Sequence, residues 1–430
     1  MDRNQGVAAS TMSKVKWRIL PYIFLLFVIS YLDRANIGYA ALDMNKALGI
    51  SSAAFGLVSS IFFIGYFLCE VPSNIMLYRF GARKWIARIL FSWGICACAM
   101  TLVQGVNGIY IIRFLLGCAE AGLVPGVIFY LASWFPERER ARAIATFFIA
   151  IPVSLIIGSP VSTWIMDHVH WFGVPGWRWL FVLEGLPAII CGVVTLVVLP
   201  DRPQQVTWLD GSERDWLLEE LRKEQEANRS KDRRYSIWQT FKVPQVWWLA
   251  GVYGTANMGA VAIVYWMPQI VRGFSSILTN TQIGLIVMVP WIITAIAGFT
   301  WGRHSDRTGE RWLHMVIPTV VAIFGFALAV VADATVLKMI GLTLVIVGNL
   351  SMYGPFWAVP SVYLSEQAAA VGIAIINSVT QLSVFAALNL TGYLNGAYGM
   401  NLVFAFLGLT LVACLVLILV MPRPPLIRGR

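Results

Sequence analysis

Runs of apolar residues recur twelve times along this chain, near 19–40, 54–78, 85–104, 108–133, 143–166, 179–199, 245–268, 281–301, 313–332, 337–360, 371–392 and 401–421. Each is close to the roughly 20 residues that a helix needs to cross a bilayer core. Runs of this length favour helices over a barrel. The pattern predicts an all-α membrane protein with twelve transmembrane helices. Six runs precede a charged stretch, 200–243, and six follow it. The expected organisation is therefore a six-helix bundle over 1–199, a linker over 200–243, and a second six-helix bundle over 244–430. Within the linker, Asp210 or Ser212 can cap a helix with Glu213 and Asp215 in its first turn. Trp208, Trp216, Leu217 and Leu221 would form the apolar face of an amphipathic helix lying under the bundle.

Composition agrees. The 430 residues are 58% hydrophobic and 13% charged, against about 25% charged in a soluble chain. The start, "MDRNQGVAASTMSKVKWR", is polar and lacks the apolar core of a cleavable signal peptide. The six cysteines lie in apolar stretches, spaced for neither a disulfide framework nor a zinc site, and read as small hydrophobes. The formal net charge of +10 changes meaning once its positions are read. Of the lysines and arginines outside the spans, 26 fall on one side of the expected membrane and 4 on the other. Both termini are thus expected in the cytoplasm, with the protein in the inner (plasma) membrane. The excess is a topology signal, so no nucleic-acid partner is expected. No nucleophile–base pair, metal cluster or phosphate loop stands out, so we expect no enzyme activity, cofactor or metal.

Ionisable residues inside spans are expensive and mark function. Here they are Asp33, Arg34, Glu70, Arg113, Glu120 and Glu184. Tyr31, Arg34 and Gly38 share a helix face, which we assign to a cavity. Asp33 points about 100° away from Arg34, toward a neighbouring helix, and span four with Arg113 is the expected partner. Arg113 and Glu120 are seven residues apart, so two turns stack them on one face. A guanidinium can bind a carboxylate bidentately, and buried acids can take up protons. No histidine falls in the middle of a span; His314 stands at the very start of the ninth. Glu70 and Glu184, near opposite ends of their spans, read as packing or gating residues. The second half offers uncharged polar and aromatic groups instead: Tyr253, Asn257, Trp357, and Asn377 with Gln381 one turn apart.

A weak repeat joins the halves. "YRFGARKW" follows span two and "DRTGERWL" follows span eight, with Gly81 matching Gly309 at a separation of 228 residues. "GRHSDRTGER" resembles the loop signature of the major facilitator superfamily, through Gly302, Asp306, Arg307, Gly309 and Arg311; in the first-half copy Tyr78 stands where the acid is expected. "LDRANIG", "VPSNIMLYRFGARKWIA", "RFLLGCAEAGLVPG", "WFPERERARA", "GWRWLFVLEGLPA" and "PFWAVPS" resemble the anion:cation symporter family within it, over nearly the whole chain. That resemblance implies the major facilitator fold, two pseudo-symmetric six-helix bundles. It implies Asp33 and Glu120 as proton sites with Arg113 beside them, and Arg34 as the substrate anchor. It also implies Tyr66, Trp357 and Asn377 in the cavity and Asp306, Arg307 and Arg311 in a gating loop. Tyr31 and Gln381 join the substrate-facing set on their spacing.

The expected function is proton-coupled uptake of a small organic carboxylate (an aromatic, hydroxy or sugar acid) by a monomer in the lipid bilayer. The family's members include permeases for 4-hydroxyphenylacetate, tartrate, phthalate and sugar acids. The alternatives are an uncoupled anion facilitator or exchanger, and a drug exporter of the same superfamily. Two arginines within spans speak against export of cations, and Glu120 speaks against an uncoupled carrier.

Overall fold

The computed structural model describes residues 3–230, 240–275, 277–360 and 366–423. Its elements, in chain order, are helical. The first half comprises α1 (Arg3–Ala47), α2 (Ser52–Phe80), α3 (Ala82–Ala99), α4 (Val106–Glu120), α5 (Leu123–Ala132), α6 (Glu137–Phe148), α7 (Ala150–His168) and α8 (Gly176–Val198). The linker helix α9 (Gly211–Ser230) follows. The second half comprises α10 (Pro244–Phe274), α11 (Asn280–Thr308), α12 (Trp312–Val331), α13 (Thr335–Ala358), α14 (Glu366–Tyr398) and α15 (Met400–Val420). Among the described residues, eleven helical stretches are long and apolar enough to cross a membrane, with α4 and α5 counted as one. Helix α10 is the expected span that falls short on apolarity. Its 31 residues include Tyr253, Asn257, Tyr265 and Gln269, which it directs inward.

Three elements depart from the simple span pattern. Helix α1 extends far beyond 19–40, because Met12, Val15 and Ile19 continue a buried stripe toward its N-terminus. The fourth span is broken. Helix α4 ends at Glu120, and Gly122 adopts a left-handed conformation (φ 92°, ψ −1°) before α5 begins. A side chain is disfavoured there both by that φ and by crowding against Ser73. The carbonyl of Ala121, freed by the break, accepts a hydrogen bond from Ser73 Oγ at 2.6 Å, and Trp85 Nε1 supports Ser73 at 2.9 Å. Broken backbone at membrane depth is tolerated only with such partners. The fifth span is divided between α6, which carries "ERERAR", and α7.

Helix α9 packs on the first half. Buried Glu213 accepts from Ser10 Oγ at 2.7 Å and Lys14 Nζ at 2.8 Å on α1. Trp208 stacks on Trp134, with Arg18 over its ring, and Arg140 pairs with Glu224. The Asp210 carboxylate meets Lys14, while the Asp210 N–H is capped by Glu213 Oε2 at 3.0 Å. The rest of the expected linker includes residues 231–239, outside the described residues.

The two halves meet at the end where α1 runs into α2. Asn389 Nδ2 donates to Ser60 Oγ at 2.5 Å, and Asn395 Nδ2 to Ser52 Oγ at 3.2 Å. Asp43 accepts from Asn280 Nδ2 at 2.9 Å. Asp167 takes both the N–H and the hydroxyl of Thr281, each at 2.7 Å, and so caps the start of α11. Gly56 and Gly392 let α2 and α14 touch, since a Cβ on Gly56 would sit 2.8 Å from the Leu388 carbonyl. The hydrogen bonds between halves among the described residues cluster at this end, which is closed.

Candidate functional site

At mid-depth of the first half, α1 supplies Ser30, Tyr31 and Arg34, α2 supplies Phe62 and Tyr66, and α4 supplies Glu120 at its last residue. Arg34 Nε donates to Glu120 Oε1 at 2.8 Å, and Ser30 Oγ donates to the same oxygen at 2.7 Å. The guanidinium lies over the rings of Tyr31, Phe62 and Tyr66, at 5.4, 5.4 and 5.2 Å. Such ring faces favour a cation more strongly where water is excluded. Two polar atoms of the pair are buried without a partner: Arg34 Nη2 and Glu120 Oε2. A buried ion pair with one free donor suits a ligand that brings its own anion.

Arg113, two turns before Glu120, is fully buried and also faces the Phe62 ring, at 5.2 Å. It donates to the carbonyls of Val58 (3.3 Å) and Ser59 (3.5 Å) at the limit of hydrogen-bond length. Tyr265 of α10 lies beside both arginines. Asp33 does not pair with Arg113 as the spacing suggested. Its Oδ2 accepts from Trp93 Nε1 of α3 at 2.7 Å, and its Oδ1 from Asn36 Nδ2 at 3.0 Å. The rotation between consecutive helix positions carries Asp33 round to α3, and it has no salt bridge among the described residues. Glu184 is likewise buried, held by Ser162 Oγ at 2.6 Å. Glu70 is half-buried, one turn beyond Tyr66.

The second half faces this charge with aromatic surface. Tyr253 stacks on Phe356 at 4.9 Å and meets Trp357 edge-on at 4.9 Å and Tyr353 at 5.2 Å. Tyr253 and Tyr353 lie across from Tyr31. The hydroxyl of Tyr353 and both amide atoms of Asn349 are buried without a partner. Asn377 and Gln381 are half-buried on α14, with no hydrogen bond among the described residues. Ser30, Phe62, Tyr353 and Asn349 escaped the sequence reading, whereas Tyr265 was among the polar groups expected in span seven. Ser30 and Phe62 each sit one turn before a residue it had chosen, which is the signal that could have found them.

The loop between α11 and α12 is ordered around Arg311. Its guanidinium pairs with Asp306 at 2.7 Å and donates to Ser305 Oγ at 2.8 Å, while Arg307 is exposed. Glu310 caps α12 through the N–H groups of Leu313 (2.7 Å) and His314 (3.2 Å). Burial opposes ionisation of Glu310, but the Leu313 N–H and the His314 ring outweigh it and hold the carboxyl below the usual glutamate range. His314 also touches His304, at 2.8 Å, an arrangement that sequence spacing did not suggest. In the first-half copy Arg83 reaches Asp201 instead, at 2.9 Å. Gly81 and Gly309 both end helices with positive φ, so the repeated motif marks equivalent turns.

Comparison with known proteins places this arrangement in context. The family model described as Major Facilitator Superfamily matches residues 23–388. An Agrobacterium vitis protein named as a tartrate transporter is 42% identical over 425 residues, covering 98% of this chain and 94% of its own. A quinolone resistance transporter of Acinetobacter baumannii is 35% identical over 394 residues, covering 92% of this chain and 88% of its own. In three dimensions the chain is similar to the xylose transporter XylE of E. coli in an inward open conformation. The TM-score is 0.77 at 16% identity, with 95% of this chain and 97% of the other covered.

Proposed function

Because the chain belongs to the major facilitator superfamily, and is therefore a multi-pass membrane transporter and not an enzyme, we propose that it takes up a small organic carboxylate together with protons, by alternating access. The observation that carries this reading is the Arg34–Glu120 pair with its spare Nη2, walled by aromatic rings. An ionised Glu120 occupies Arg34. A proton on Glu120 removes that competitor and leaves the guanidinium for a substrate carboxylate, so proton and substrate are bound together. Arg113 adds positive charge nearby, and Asp33 is a second proton site behind the cavity. Tyr66 and Tyr31 shape the carboxylate end. Tyr253, Trp357, Asn377 and Gln381 meet the rest of the solute. After release of the substrate, Glu120 gives up its proton and reclaims Arg34.

The charge distribution puts both termini and the linker in the cytoplasm, in the inner membrane. The closed end is then the outer one. Asp306, Arg307 and Arg311 gate the cytoplasmic side. The relative named for tartrate supports a hydroxy acid with two carboxylates as the first solute to try. The relative named for quinolone resistance supports a second reading, export of aromatic compounds past the Tyr253–Trp357 wall. Two cavity arginines favour the first.

The test is uptake of labelled tartrate into proteoliposomes with and without an imposed pH gradient. Accumulation should follow the gradient and collapse with a protonophore. Glu120→Gln should bind tartrate and support counterflow but lose gradient-driven accumulation. Normal accumulation by Glu120→Gln would remove Glu120 from coupling. Indifference of the native protein to the gradient would leave a facilitator, and efflux of a quinolone without tartrate uptake would leave an exporter.

A further inference from the structure

A second buried acidic region lies in the first half, away from the Arg34 cavity. Glu184 on α8 is buried, at 6% exposure. One carboxyl oxygen accepts from Ser162 Oγ of α7 at 2.6 Å, and the other, Oε2, is buried with no partner. Asn36 of α1 donates to Asp33 at 3.0 Å and also faces Glu184, so one amide stands between the two carboxyls. Tyr39 faces Glu184 from α1 and is held by Ser159 of α7 at 2.6 Å. No lysine, arginine or histidine forms a salt bridge with Asp33 or Glu184 among the described residues. The charged and titratable groups that do face this region are Arg113 and Glu120 of α4 and Cys96 and Cys98 of α3, all toward Asp33, with Tyr39 and the two carboxyls themselves. From α7 the neighbours are serines.

Depth gives these groups an order. At about 1.5 Å per helical residue, Glu184 lies about 12 Å from the start of α8 at the closed end. Asn36 and Asp33 lie about 16 and 21 Å from the same end of α1. Glu184 is therefore the outermost of the three. A buried carboxylate without a cation is costly, and a proton removes that cost. Serine and asparagine side chains can hydrogen-bond the carboxyl in either state.

We propose that Glu184 is the outward-side proton carrier that supplies Asp33, on a route inside the first half between α1, α7 and α8, behind the substrate cavity. The proposal rests on the proton-coupled reading above. In the transfer, the O–H bond of the Glu184 carboxyl breaks and one forms on Asp33; the negative charge moves outward to Glu184, which is refilled from the outer solution. The route keeps protons and substrate apart until they meet at Asp33, Arg34 and Glu120. It gives Glu184 a role in transport although it does not touch substrate.

The experiment uses the full-length protein in proteoliposomes with tartrate as the probe, beginning with the native chain. Glu184→Gln preserves shape and an acceptor for Ser162 but cannot carry a proton. It should leave tartrate binding and counterflow unchanged and slow gradient-driven uptake by about tenfold or more, the effect of one unit of proton affinity. Glu184→Asp should restore part of the rate. Ser162→Ala removes a hydrogen bond that favours the carboxylate, so the midpoint of uptake against external pH should move upward. Native rates and an unchanged pH profile in Glu184→Gln would overturn the proposal while leaving proton coupling intact. Should that variant fail to bind tartrate, an unmoved midpoint in Ser162→Ala would overturn it instead. A native protein indifferent to the gradient would overturn the coupled reading itself, before any variant is compared.

Discussion

Arg34 has one nitrogen on Glu120, three rings around its plane and one nitrogen with no partner. A lysine there would keep the charge but lose the planar fork that can hold Glu120 and a second carboxylate at once. Arg34→Lys should therefore weaken tartrate binding by about tenfold or more, since one charge-assisted hydrogen bond contributes about 1.5–3 kcal/mol. Its melting temperature should stay close to native. Calorimetry checks this: native affinity in the variant would make Arg34 structural. At this scale the sequence was legible where physics forbids a bland explanation. A charge inside an apolar run demands one, so Arg34, Arg113, Glu120, Asp33 and Glu184 stood out. Partners were less legible. The direction of Asp33 around α1 was readable, but the identity of the helix it meets was not, because that depends on packing. Trp93 looked like any aromatic residue of a span until its N–H was found on the Asp33 carboxylate.

Among elements, hydropathy located the spans but missed their interruptions. "CAEAGLVPG" reads as continuously apolar, and only the left-handed backbone at Gly122 divides it. The amphipathic linker helix was legible in its pattern of Trp216, Leu217 and Leu221, although Trp208, expected on its apolar face, lies before its first residue; its docking on α1 was not legible. That docking should depend on pH. Burial works against ionisation of Glu213, yet Lys14 and Ser10 together with the Asp210 N–H hold its carboxyl below the ordinary value of 4.5. A depressed carboxyl contributes stability that is complete above its unfolded value and is lost as pH falls through its folded one. Protection factors for amide exchange along 211–224, which correct for the intrinsic pH dependence of exchange, should thus be high and constant from neutral pH down to about 5, then fall at lower pH. Glu213→Gln should exchange faster at neutral pH and lose that acid dependence. A variant as protected as the native helix at pH 7 would dismiss the Lys14 contact as the anchor.

For the whole molecule, the helical membrane fold was legible because apolar runs recur at the length of a span. The closed end was not. Its contacts join Ser52 to Asn395 and Ser60 to Asn389, residues far apart in the chain whose meeting depends on the conformation adopted. If alternating access operates, these contacts must open in each cycle. Cysteines at Ser52 and Asn395 joined by a short bifunctional reagent should stop tartrate uptake, whereas either cysteine alone should transport normally. Undiminished uptake after complete cross-linking would exclude an opening at that end. The break at Gly122 has a further, mechanical consequence. Helix α5, ten residues long, is a rod of about 15 Å pivoted at its first residue. A tilt of about 10° would sweep its far tip through about 3 Å. Glu120, just across the joint, would hardly shift. The acid is seated at a fulcrum, where strokes of the α5 half of the span leave the grip between carboxylate and guanidinium intact.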